Sequence, residues 1–491
     1  MAIVSLSRIL ASWAEKQPNN TAIAHDDDSI SWAELEKRTN QLARAYMNLG
    51  VKEGDLVTIA LPNGIEFVSA VFATWKLGAT PQPISSKLPK IERDAIIELA
   101  SSSLVVGVDT ADVGENFISV PENYAGYEQQ SAEPLEERTA EKIKAMTSGG
   151  STGRPKLIVA PTPAVWDDEA SAFMIPHQSR VLVPGPLYHN GPFLWTLASL
   201  CQGNRVVIVT RFDAEQTLQL IEEHQVEHMY AVPTMMQRIW NLAEDSRSRY
   251  DLSSLKSLLH TAAPCPVWLK EAFIGWLGAS VIWELYGGTE GQGATLINGE
   301  EWLEHKGSVG KPMDGVCSMK ILAENGQELP PGEIGEIYIK STVDGNATYE
   351  YIGAESNVID DGWDSLGDMG YMDDDGYLYL ADRRTDLIIC GGANIYPAEV
   401  EAAVEALSGV RSCAVIGLPH EDLGNQVHAI VDAPAGNISE ETLLAFLQNQ
   451  LVRYKLPRSV EFVTVPLRDD AGKVRRKALR EARLQRSTVS A

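Results

Sequence analysis

Short apolar segments alternate with segments of helical periodicity through residues 56–285, and this alternation constrains the fold more strongly than any other feature. Segments 56–61 and 281–285 are rich in Val, Ile and Leu and have the length of buried strands. Segments 65–77 and 214–224 place apolar residues at helical spacing. Strands that are apolar on both faces and separated by helices predict parallel sheets covered on both sides. We therefore expect a large doubly wound α/β body.

The pattern changes after Gly310 to one that is typical of antiparallel strands. Segments 319–322 and 334–339 flank the turn residues Asn325 and Gly326, which favour a hairpin. We expect these strands to form a small antiparallel barrel or sheet that is appended to the α/β body.

Three aspartates at 373–375 precede Gly376 and could be mistaken for a calcium loop. They lack the alternating ligand spacing and the later glutamate of such a loop, so we interpret them as a hairpin turn.

A small α+β unit is predicted beyond residue 384. Its expected elements are helices over 398–407 and 441–451 and strands over 413–417, 427–431 and 460–463. Since 491 residues exceed what one hydrophobic core usually holds, a second domain is also expected from length alone.

The charge balance excludes some classes of partner. The chain has 67 acidic and 41 basic residues, a formal net charge of -26 at pH 7. Such a surface repels nucleic acid and anionic membranes, so we expect neither as a partner. A basic cluster near the C-terminus departs from this balance and consists of Lys473, Arg475, Arg476, Lys477 and Arg480.

The cysteines and the N-terminus indicate a cytoplasmic protein. The five cysteines are scattered and never in C-x-x-C spacing, which favours neither a disulfide framework nor a zinc site. The N-terminal segment carries Leu6, Ile9, Leu10 and Trp13 at helical spacing and predicts an amphipathic helix rather than a signal peptide. No apolar run reaches the about 18 residues that a membrane span requires, so we expect no span.

The stretch from Met146 to Ile158 has the composition of a phosphate-binding loop. Glycines allow positive φ and close approach of the backbone to an anion, while hydroxyls and one ammonium supply further donors. It is not a Walker loop, because Arg154 and Pro155 separate the last glycine from the lysine. A Ser/Gly linker is the alternative, and the apolar segments on both sides oppose it. The candidate phosphate ligands are Thr147, Ser148, Gly149, Gly150, Ser151, Thr152, Gly153 and Lys156.

The stretch 286–291, Tyr-Gly-Gly-Thr-Glu-Gly, follows a predicted strand at the position where doubly wound sheets bind ligands. Tyr286 can stack on a base, the glycines admit a phosphate, and Glu290 can bind Mg²⁺. The alternative is an ordinary glycine turn with a solvated glutamate.

Three further signals are weaker when each is taken alone. Asp368 can accept hydrogen bonds from both hydroxyls of a ribose, although a turn aspartate is the simpler interpretation. Gly391 and Gly392 let the backbone pass close to a narrow ligand. Lys473, on a loop near the C-terminus, is either a functional cation or one more exposed lysine of the basic segment.

In order and spacing these stretches resemble the adenylate-forming superfamily, which includes acyl-CoA synthetases, peptide-synthetase adenylation domains and beetle luciferases. The resemblance covers essentially the whole chain. It implies a large N-terminal AMP-binding domain, residues 1–384, and a small mobile C-terminal domain, residues 385–491. It also implies that ATP and Mg²⁺ are required, with CoA as a possible co-substrate.

The resemblance implies a nucleotide site with particular residues. The glycines, hydroxyls and lysine of the stretch 147–156 would bind the β- and γ-phosphates of ATP. Tyr286 matches the aromatic residue that stacks on adenine, Thr289 matches the contact to the α-phosphate, and Glu290 matches the Mg²⁺ ligand. Two more residues fall at nucleotide-binding positions, Ala262 and Gly287.

The remaining nucleotide contacts lie towards the C-terminus. Asp368 and Arg383 match the ribose contacts, and Lys473 matches the lysine that bridges the acyl carboxylate and the α-phosphate. Lys473, Glu290 and Thr289 are therefore the expected catalytic residues. Thr385 falls at the family's hinge position, where aspartate or lysine is more usual.

Within the superfamily, segments 187–192, 260–265 and 302–305 look similar to the bile-acid and steroid CoA-ligase branch and to the amide-forming coronafacate ligases. His189 would then gate the acyl pocket, with a core histidine as the alternative. Gly288 would border the acyl group, and Gly391 with Gly392 would line the channel of the acceptor.

These features predict an ATP-dependent ligase that activates a hydrophobic carboxylic acid as acyl-AMP, releases pyrophosphate and transfers the acyl group to CoA. An amide-forming ligase that uses an amine acceptor is the first alternative, because the acidic body offers no obvious site for the 3′-phosphate of CoA. A nucleotide-binding protein without catalysis is the second. The sequence leaves open whether the protein is a monomer or a homodimer.

Overall fold

The computed structural model describes residues 3–149, 155–169, 171–343, 347–356, 358–390, 393–420, 422–434, 436, 438–469 and 472–489. The strands of its first half are β1 (Ile3–Ser5), β2 (Thr21–His25), β3 (Asp28–Ser31), β4 (Leu56–Ile59), β5 (Thr80–Pro83), β6 (Leu104–Val106), β7 (Ser119–Val120), β8 (Lys144–Gly149), β9 (Pro155–Ala160), β10 (Val165–Asp167), β11 (Arg180–Val183), β12 (Arg205–Ile208) and β13 (His228–Ala231). The later strands are β14 (Ser257–His260), β15 (Ile282–Gly287), β16 (Ala294–Asn298), β17 (Ser308–Pro312), β18 (Cys317–Leu322), β19 (Gly335–Ser341), β20 (Glu350–Ile352), β21 (Asp368–Met372), β22 (Leu378–Arg383), β23 (Ile388–Cys390), β24 (Ala393–Ile395), β25 (Ser412–His420), β26 (Gly424–Asp432) and β27 (Ser459–Val463).

The α-helices are α1 (Leu6–Lys16), α2 (Trp32–Asn48), α3 (Ile65–Lys76), α4 (Lys90–Ala100), α5 (Asn190–Cys201), α6 (Ala214–His224), α7 (Pro233–Trp240), α8 (Glu244–Arg247), α9 (Val267–Leu277), α10 (Gly299–Glu304), α11 (Pro397–Glu405), α12 (Glu440–Leu447) and α13 (Arg476–Val489). Short 3₁₀ turns lie at Thr110–Asp112, Ala279–Val281, Asp360–Gly362 and Arg453–Lys455. Within the described residues, no helix has both the length and the apolar character that crossing a membrane requires.

Two parallel sheets form the N-terminal body, as the alternation of strands and helices predicted. The first has the strand order β5-β4-β6-β7. The second is the parallel part of a larger sheet, in the order β15-β14-β13-β11-β12-β2. Helix α3 is buried along nearly its whole length and belongs to the core that contains residues of both sheets. The doubly wound prediction is confirmed.

The antiparallel strands continue the large sheet beyond β15, in the order β16, β17, β22, β21, β19 and β18. They enclose a small core of their own, which includes Val309, Ile321, Ile337 and Leu378. The aspartates at 373–375 form the turn between β21 and β22, where the Asp373 carboxylate accepts hydrogen bonds from two backbone N–H groups. The predicted antiparallel region and hairpin are both confirmed.

The C-terminal region has a sheet of its own with the order β24-β23-β26-β25, and β27 pairs in parallel with β26. Helices α11 and α12 pack on it through Val400, Val404, Leu443 and Leu447. The predicted α+β unit is confirmed. A boundary between residues 384 and 385 falls in the turn between β22 and β23 and stays a prediction.

Candidate active site

The glycine-rich and hydroxyl-rich stretch begins in β8 and ends in β9, and these two strands pair antiparallel. The register of the two strands places Ser148 opposite Lys156 and Gly149 opposite Pro155. The side chain of Thr147 faces β5, where its Oγ1 accepts a hydrogen bond of 2.7 Å from Gln82 Nε2. The remaining predicted loop residues lie outside the described part of the chain, namely Gly150, Ser151, Thr152 and Gly153.

Lys156, Glu290 and Tyr351 form a compact cluster beside these two strands. Strand β20 pairs with β9 and places Tyr351 opposite Ile158. The Tyr351 hydroxyl donates a hydrogen bond of 2.6 Å to Glu290 Oε1. Lys156 Nζ lies 3.7 Å from the same oxygen and 3.8 Å from the centre of the Tyr351 ring. Burial lowers the pKa of Lys156, and the charge of Glu290 opposes that shift.

A second carboxylate lies next to this cluster. Asp364 is almost fully buried and its Oδ2 accepts a hydrogen bond of 2.9 Å from Gln292 Nε2. The Tyr349 hydroxyl donates to the same oxygen. The rings of Tyr349 and Tyr351 lie 4.7 Å apart, so the two tyrosines connect Asp364 to Glu290.

Tyr286 ends strand β15, and its hydroxyl donates a hydrogen bond of 2.9 Å to Asp368 Oδ2. Arg383 Nε donates to the other carboxylate oxygen at 3.2 Å. Asp368 and Arg383 are opposite each other in the register of β21 and β22, so the fold itself brings them together. Burial and the nearby Asp368 charge raise the pKa of Tyr286, which keeps its hydroxyl protonated and able to donate.

The loop after Tyr286 has little room for side chains at its first two glycines. A Cβ on Gly288 would lie 2.4 Å from Leu366 Cδ1, and a Cβ on Gly287 would lie 3.0 Å from the carbonyl oxygen of Gly293. Thr289 is partly exposed and Glu290 is buried. Ala262 follows the neighbouring parallel strand β14 and has φ 74°, a left-handed conformation that is rare outside glycine. Parallel strands end at one edge of a sheet, so these two loops lie side by side.

Lys473 reaches the same region from the C-terminal domain. The loop that carries it is closed by the bridge between Arg468 and Val474, and Gly472 packs so closely that a Cβ would lie 3.1 Å from Thr234 Oγ1 of α7. The side chain of Lys473 is exposed to solvent, although neighbouring protein atoms partly desolvate its ammonium group. Desolvation there lowers its pKa, and the positive charge of Arg383 lowers it further.

The charges that surround Lys473 come from all parts of the predicted site. Asp469, Glu290 and Asp368 each raise its pKa, in that order of strength. Among the described residues, no carboxylate lies within ion-pair distance of Lys473 Nζ. Pairwise contacts and charge interactions thus connect six residues, and we call this cluster the cleft: Lys156, Glu290, Tyr286, Asp368, Arg383 and Lys473.

The predicted acyl and acceptor residues lie at other places. His189 is the N-cap residue of α5, and its ring lies 4.3 Å from that of Tyr188. Gly391 and Gly392 lie outside the described residues, between β23 and β24. Thr385 lies in the turn that connects β22 and β23.

Sequence reasoning missed five polar residues in or beside this cleft, namely Lys144, Asn190, Tyr349, Tyr351 and Asp364. The alternation of Tyr349 and Tyr351 over two positions is the one signal that could have indicated a shared face. The others carry no local motif, and only the pairing of distant strands brings them to the site.

Comparison with known proteins gives a consistent result. A model described as AMP-binding enzyme matches residues 10–347, and one described as AMP-binding enzyme C-terminal domain matches residues 399–473. Feruloyl-CoA synthase from Amycolatopsis is 32% identical over 474 residues, covering 92% of this chain and 94% of the relative. 2-Succinylbenzoate–CoA ligase from Bacillus licheniformis is 32% identical over 480 residues, covering 95% and 98% respectively.

A solved structure agrees with these relatives in fold. The o-succinylbenzoate coenzyme A synthetase of Bacillus subtilis, in complex with ATP and magnesium ion, matches with a TM-score of 0.84 at 27% identity. The match covers 97% of this chain and 100% of that chain. The similarity therefore extends over both domains.

Proposed function

The chain belongs to the AMP-binding enzyme family, and from that premise we propose that it activates a hydrophobic carboxylic acid as an acyl-AMP and transfers the acyl group to the thiol of CoA. One observation carries the proposal: the loop of Lys473 packs against the N-terminal body, where a Cβ on Gly472 would lie 3.1 Å from Thr234 Oγ1, and the charges of Arg383, Glu290 and Asp368 shift the pKa of Lys473. The adenylation step needs a cation near the ribose and the metal ion. Lys473 is such a cation, and its charge interacts with the carboxylates of Asp368 and Glu290.

In that step a carboxylate oxygen of the acid attacks the α-phosphorus of ATP, and the bond from this phosphorus to the bridging oxygen of the β-phosphate breaks. Pyrophosphate leaves with the electron pair of that bond. We assign to Lys473 the neutralisation of charge on the acid and the α-phosphate. A positioned donor of this kind is worth about a hundredfold or more in rate.

We assign the nucleotide contacts to residues of the same cluster. The face of the Tyr286 ring is assigned to adenine, and the Asp368 carboxylate to the ribose hydroxyls. Each oxygen of Asp368 already accepts one hydrogen bond, from Tyr286 or from Arg383, and a carboxylate has about four acceptor positions in total. Capacity for two ribose hydroxyls therefore remains.

Glu290 has the properties of a ligand for Mg²⁺. This ion usually binds one or two protein carboxylates together with substrate phosphates. The carboxylate is 8% exposed, and its Oε1 is engaged by Tyr351. Its Oε2 lies beside Gly288 and is the oxygen that we assign to the cation. Bound there, Mg²⁺ would neutralise charge on the phosphates, while Lys156 holds Glu290 in place.

A hydrophobic acid is supported by the surroundings of His189. The partly exposed rings of Tyr188 and His189 precede helix α5, whose Phe193 and Trp195 are buried in the core. In the second step, the CoA thiolate attacks the acyl carbon and AMP leaves. The curated relatives named above are CoA ligases, which favours CoA as the acceptor over an amine. The net charge of -26 is the observation that favours an amine.

The experiment has two stages. Pyrophosphate release is first measured with a panel of aromatic, alicyclic and aliphatic acids. Products are then identified by mass spectrometry with CoA and a mixture of amino acids supplied together. We expect an acyl-CoA. An amide with no acyl-CoA at saturating CoA would overturn the assignment of the acceptor, and ATP binding without pyrophosphate release for any acid would overturn the proposed activity.

A further inference from the structure

Lys144, the first residue of β8, is a buried cation at the border of the cleft. It is only 6% exposed, and Met146 on the same face of the strand belongs to the core that also contains Phe193. Burying an ammonium group without a counterion is costly. The reason for a lysine at this position must therefore lie in what its ammonium contacts.

The protein supplies that ammonium with only one neutral acceptor among the described residues. Lys144 Nζ donates to the side-chain oxygen of Asn190. No described carboxylate lies within ion-pair distance of it. Glu290 interacts with Lys144 only at longer range, and its carboxylate already contacts Tyr351 and Lys156. Desolvation lowers the pKa of Lys144 to about 8, so most of the molecules remain charged at neutral pH.

The contact with Asn190 places this charge at the N-terminus of α5. The side chain of the N-cap residue His189 makes no capping hydrogen bond. Since Pro192 has no N–H and the N–H of Phe193 bonds to the His189 carbonyl, the N–H groups of Asn190 and Gly191 are left without intrahelical acceptors and form a site of positive potential. His189, Asn190 and Gly191 are all partly exposed, so a ligand can reach this end of the helix. Gly191 has no room for a side chain, because a Cβ there would lie 2.4 Å from the Tyr230 hydroxyl, which packs beside this end of the helix.

We propose that Lys144 and the N-terminus of α5 bind a second anionic group of the acid substrate, so that the enzyme selects an otherwise apolar acid that carries a second carboxylate or an equivalent acidic group. The inference rests on the proposed function. Two features favour the acid over a phosphate of ATP as the source of the anion. Lys156, which ends the stretch predicted to bind the phosphates, would already provide a cation there, and Lys144 contacts α5, the helix whose N-cap residue is His189.

The test uses acids in matched pairs: α,ω-dicarboxylic acids of several chain lengths with the monocarboxylic acids of the same length, and cinnamate with 4-carboxycinnamate. Pyrophosphate release is measured for wild type, Lys144→Met and Lys142→Met. Methionine keeps the volume of the side chain and removes its charge. Lys142 is the matched control, because it lies two residues away, is 40% exposed and pairs with Glu350 at 3.1 Å. Lys144→Gln is used if the methionine variant does not fold.

We expect wild type to prefer the diacid in at least one pair. Lys144→Met should lower kcat/KM for that diacid about a hundredfold, as expected when one partner of a buried charge pair is removed, and should leave the monoacid and the KM of ATP nearly unchanged. Lys142→Met should keep the preference.

Three results would overturn the inference while leaving the proposed function intact. The first is equal kcat/KM for diacids and monoacids in every pair. The second is a preference that persists in both Lys144 variants. The third is a rise in the KM of ATP with unchanged acid selectivity, which would assign Lys144 to the phosphates. If no acid supports pyrophosphate release, the proposed function fails and this inference fails with it.

Discussion

The Tyr286 hydroxyl donates a hydrogen bond of 2.9 Å to Asp368 Oδ2, across a gap of 82 residues in the chain. This contact connects the end of a parallel strand to the antiparallel hairpin and thereby joins the proposed adenine and ribose contacts. Tyr286→Phe keeps the ring and removes the hydrogen bond. We expect ATP binding about tenfold weaker, because a hydrogen bond to a charged group is worth about 1.5–3 kcal/mol.

Isothermal titration with ATP or AMP measures that change. Tyr371→Phe is the control, because its ring stacks on Tyr379 at 4.8 Å and its hydroxyl has no hydrogen-bond partner in the described part of the protein. Equal affinities in wild type and Tyr286→Phe would show that the contact does not support the nucleotide.

Lys473 is expected to act in the first step only. Lys473→Ala should lower the rate of pyrophosphate release at least about a hundredfold, while a chemically prepared acyl-adenylate is still consumed at a rate near that of wild type. The control is Lys477→Ala, an exposed lysine on α13. Pyrophosphate exchange at the wild-type rate in Lys473→Ala is the result that would reject this role.

Local patterns made the parallel body predictable. Helices α6 and α9 begin and end where the periodicity placed them, because Asp213 caps the first through two backbone N–H groups and Gly278 ends the second at φ 96°. Strand β5 was not assigned from the sequence, since Pro81 and Pro83 cannot donate to a sheet. The structure accommodates them because β5 is an edge strand.

The site was only partly predictable, because only those parts of it that form local patterns can be read from the sequence. Its glycine-rich loops are contiguous motifs, whereas Tyr351 and Glu290 are 61 residues apart and meet only because β20 pairs with β9. Lys144 gave no signal, since a lysine next to an apolar segment usually lies on the surface. Contacts that depend on tertiary pairing have no local signature.

Arg476 connects the hinge region to the loop of Lys473 and is expected to position that lysine. Its guanidinium donates to both oxygens of Glu401, at 3.1 and 2.8 Å, and to Asp386 at 2.8 Å. Lysine cannot reproduce this fork. Arg476→Lys should lower kcat for pyrophosphate release by about tenfold to a hundredfold with little change in the KM of ATP.

The rate of the second step distinguishes a positioning role of Arg476 from a general loss of structure. Consumption of a prepared acyl-adenylate, which does not need Lys473, should change little in Arg476→Lys. Arg475→Lys, at the exposed neighbouring position, serves as the control. Equal losses in both steps would indicate a structural role alone.

Asp382 makes a contact across the predicted hinge that is expected to depend on pH. Its Oδ2 accepts a hydrogen bond of 2.6 Å from the N–H of Ala398 in α11, and its Oδ1 accepts one of 2.7 Å from the N–H of Arg383. Desolvation raises the pKa of Asp382 to about 6; Arg476 opposes the shift and Glu401 adds to it.

A carboxyl whose pKa is higher in the folded protein binds its proton more tightly there, so protonation stabilises the folded state. This stabilisation of the folded state is complete below about pH 4, the pKa of an aspartate in the unfolded chain. It is lost as the pH rises through about 6, the pKa of Asp382 in the folded protein. Asp382→Asn is neutral at every pH and resembles the protonated wild type. The Tm of the variant minus that of wild type should therefore increase from pH 4 to pH 7.

Thermal unfolding across this pH range, followed by circular dichroism or calorimetry, measures the difference. Asp361→Asn is the matched control, because that carboxylate is 81% exposed and forms a surface pair with Lys340. Its Tm difference from wild type should lack the increase expected for Asp382→Asn, because no buried carboxylate is replaced. A Tm difference that is also constant for Asp382→Asn would mean that the contact between Asp382 and α11 does not carry a buried charge. This contact would then not make the hinge sensitive to pH between 4 and 7.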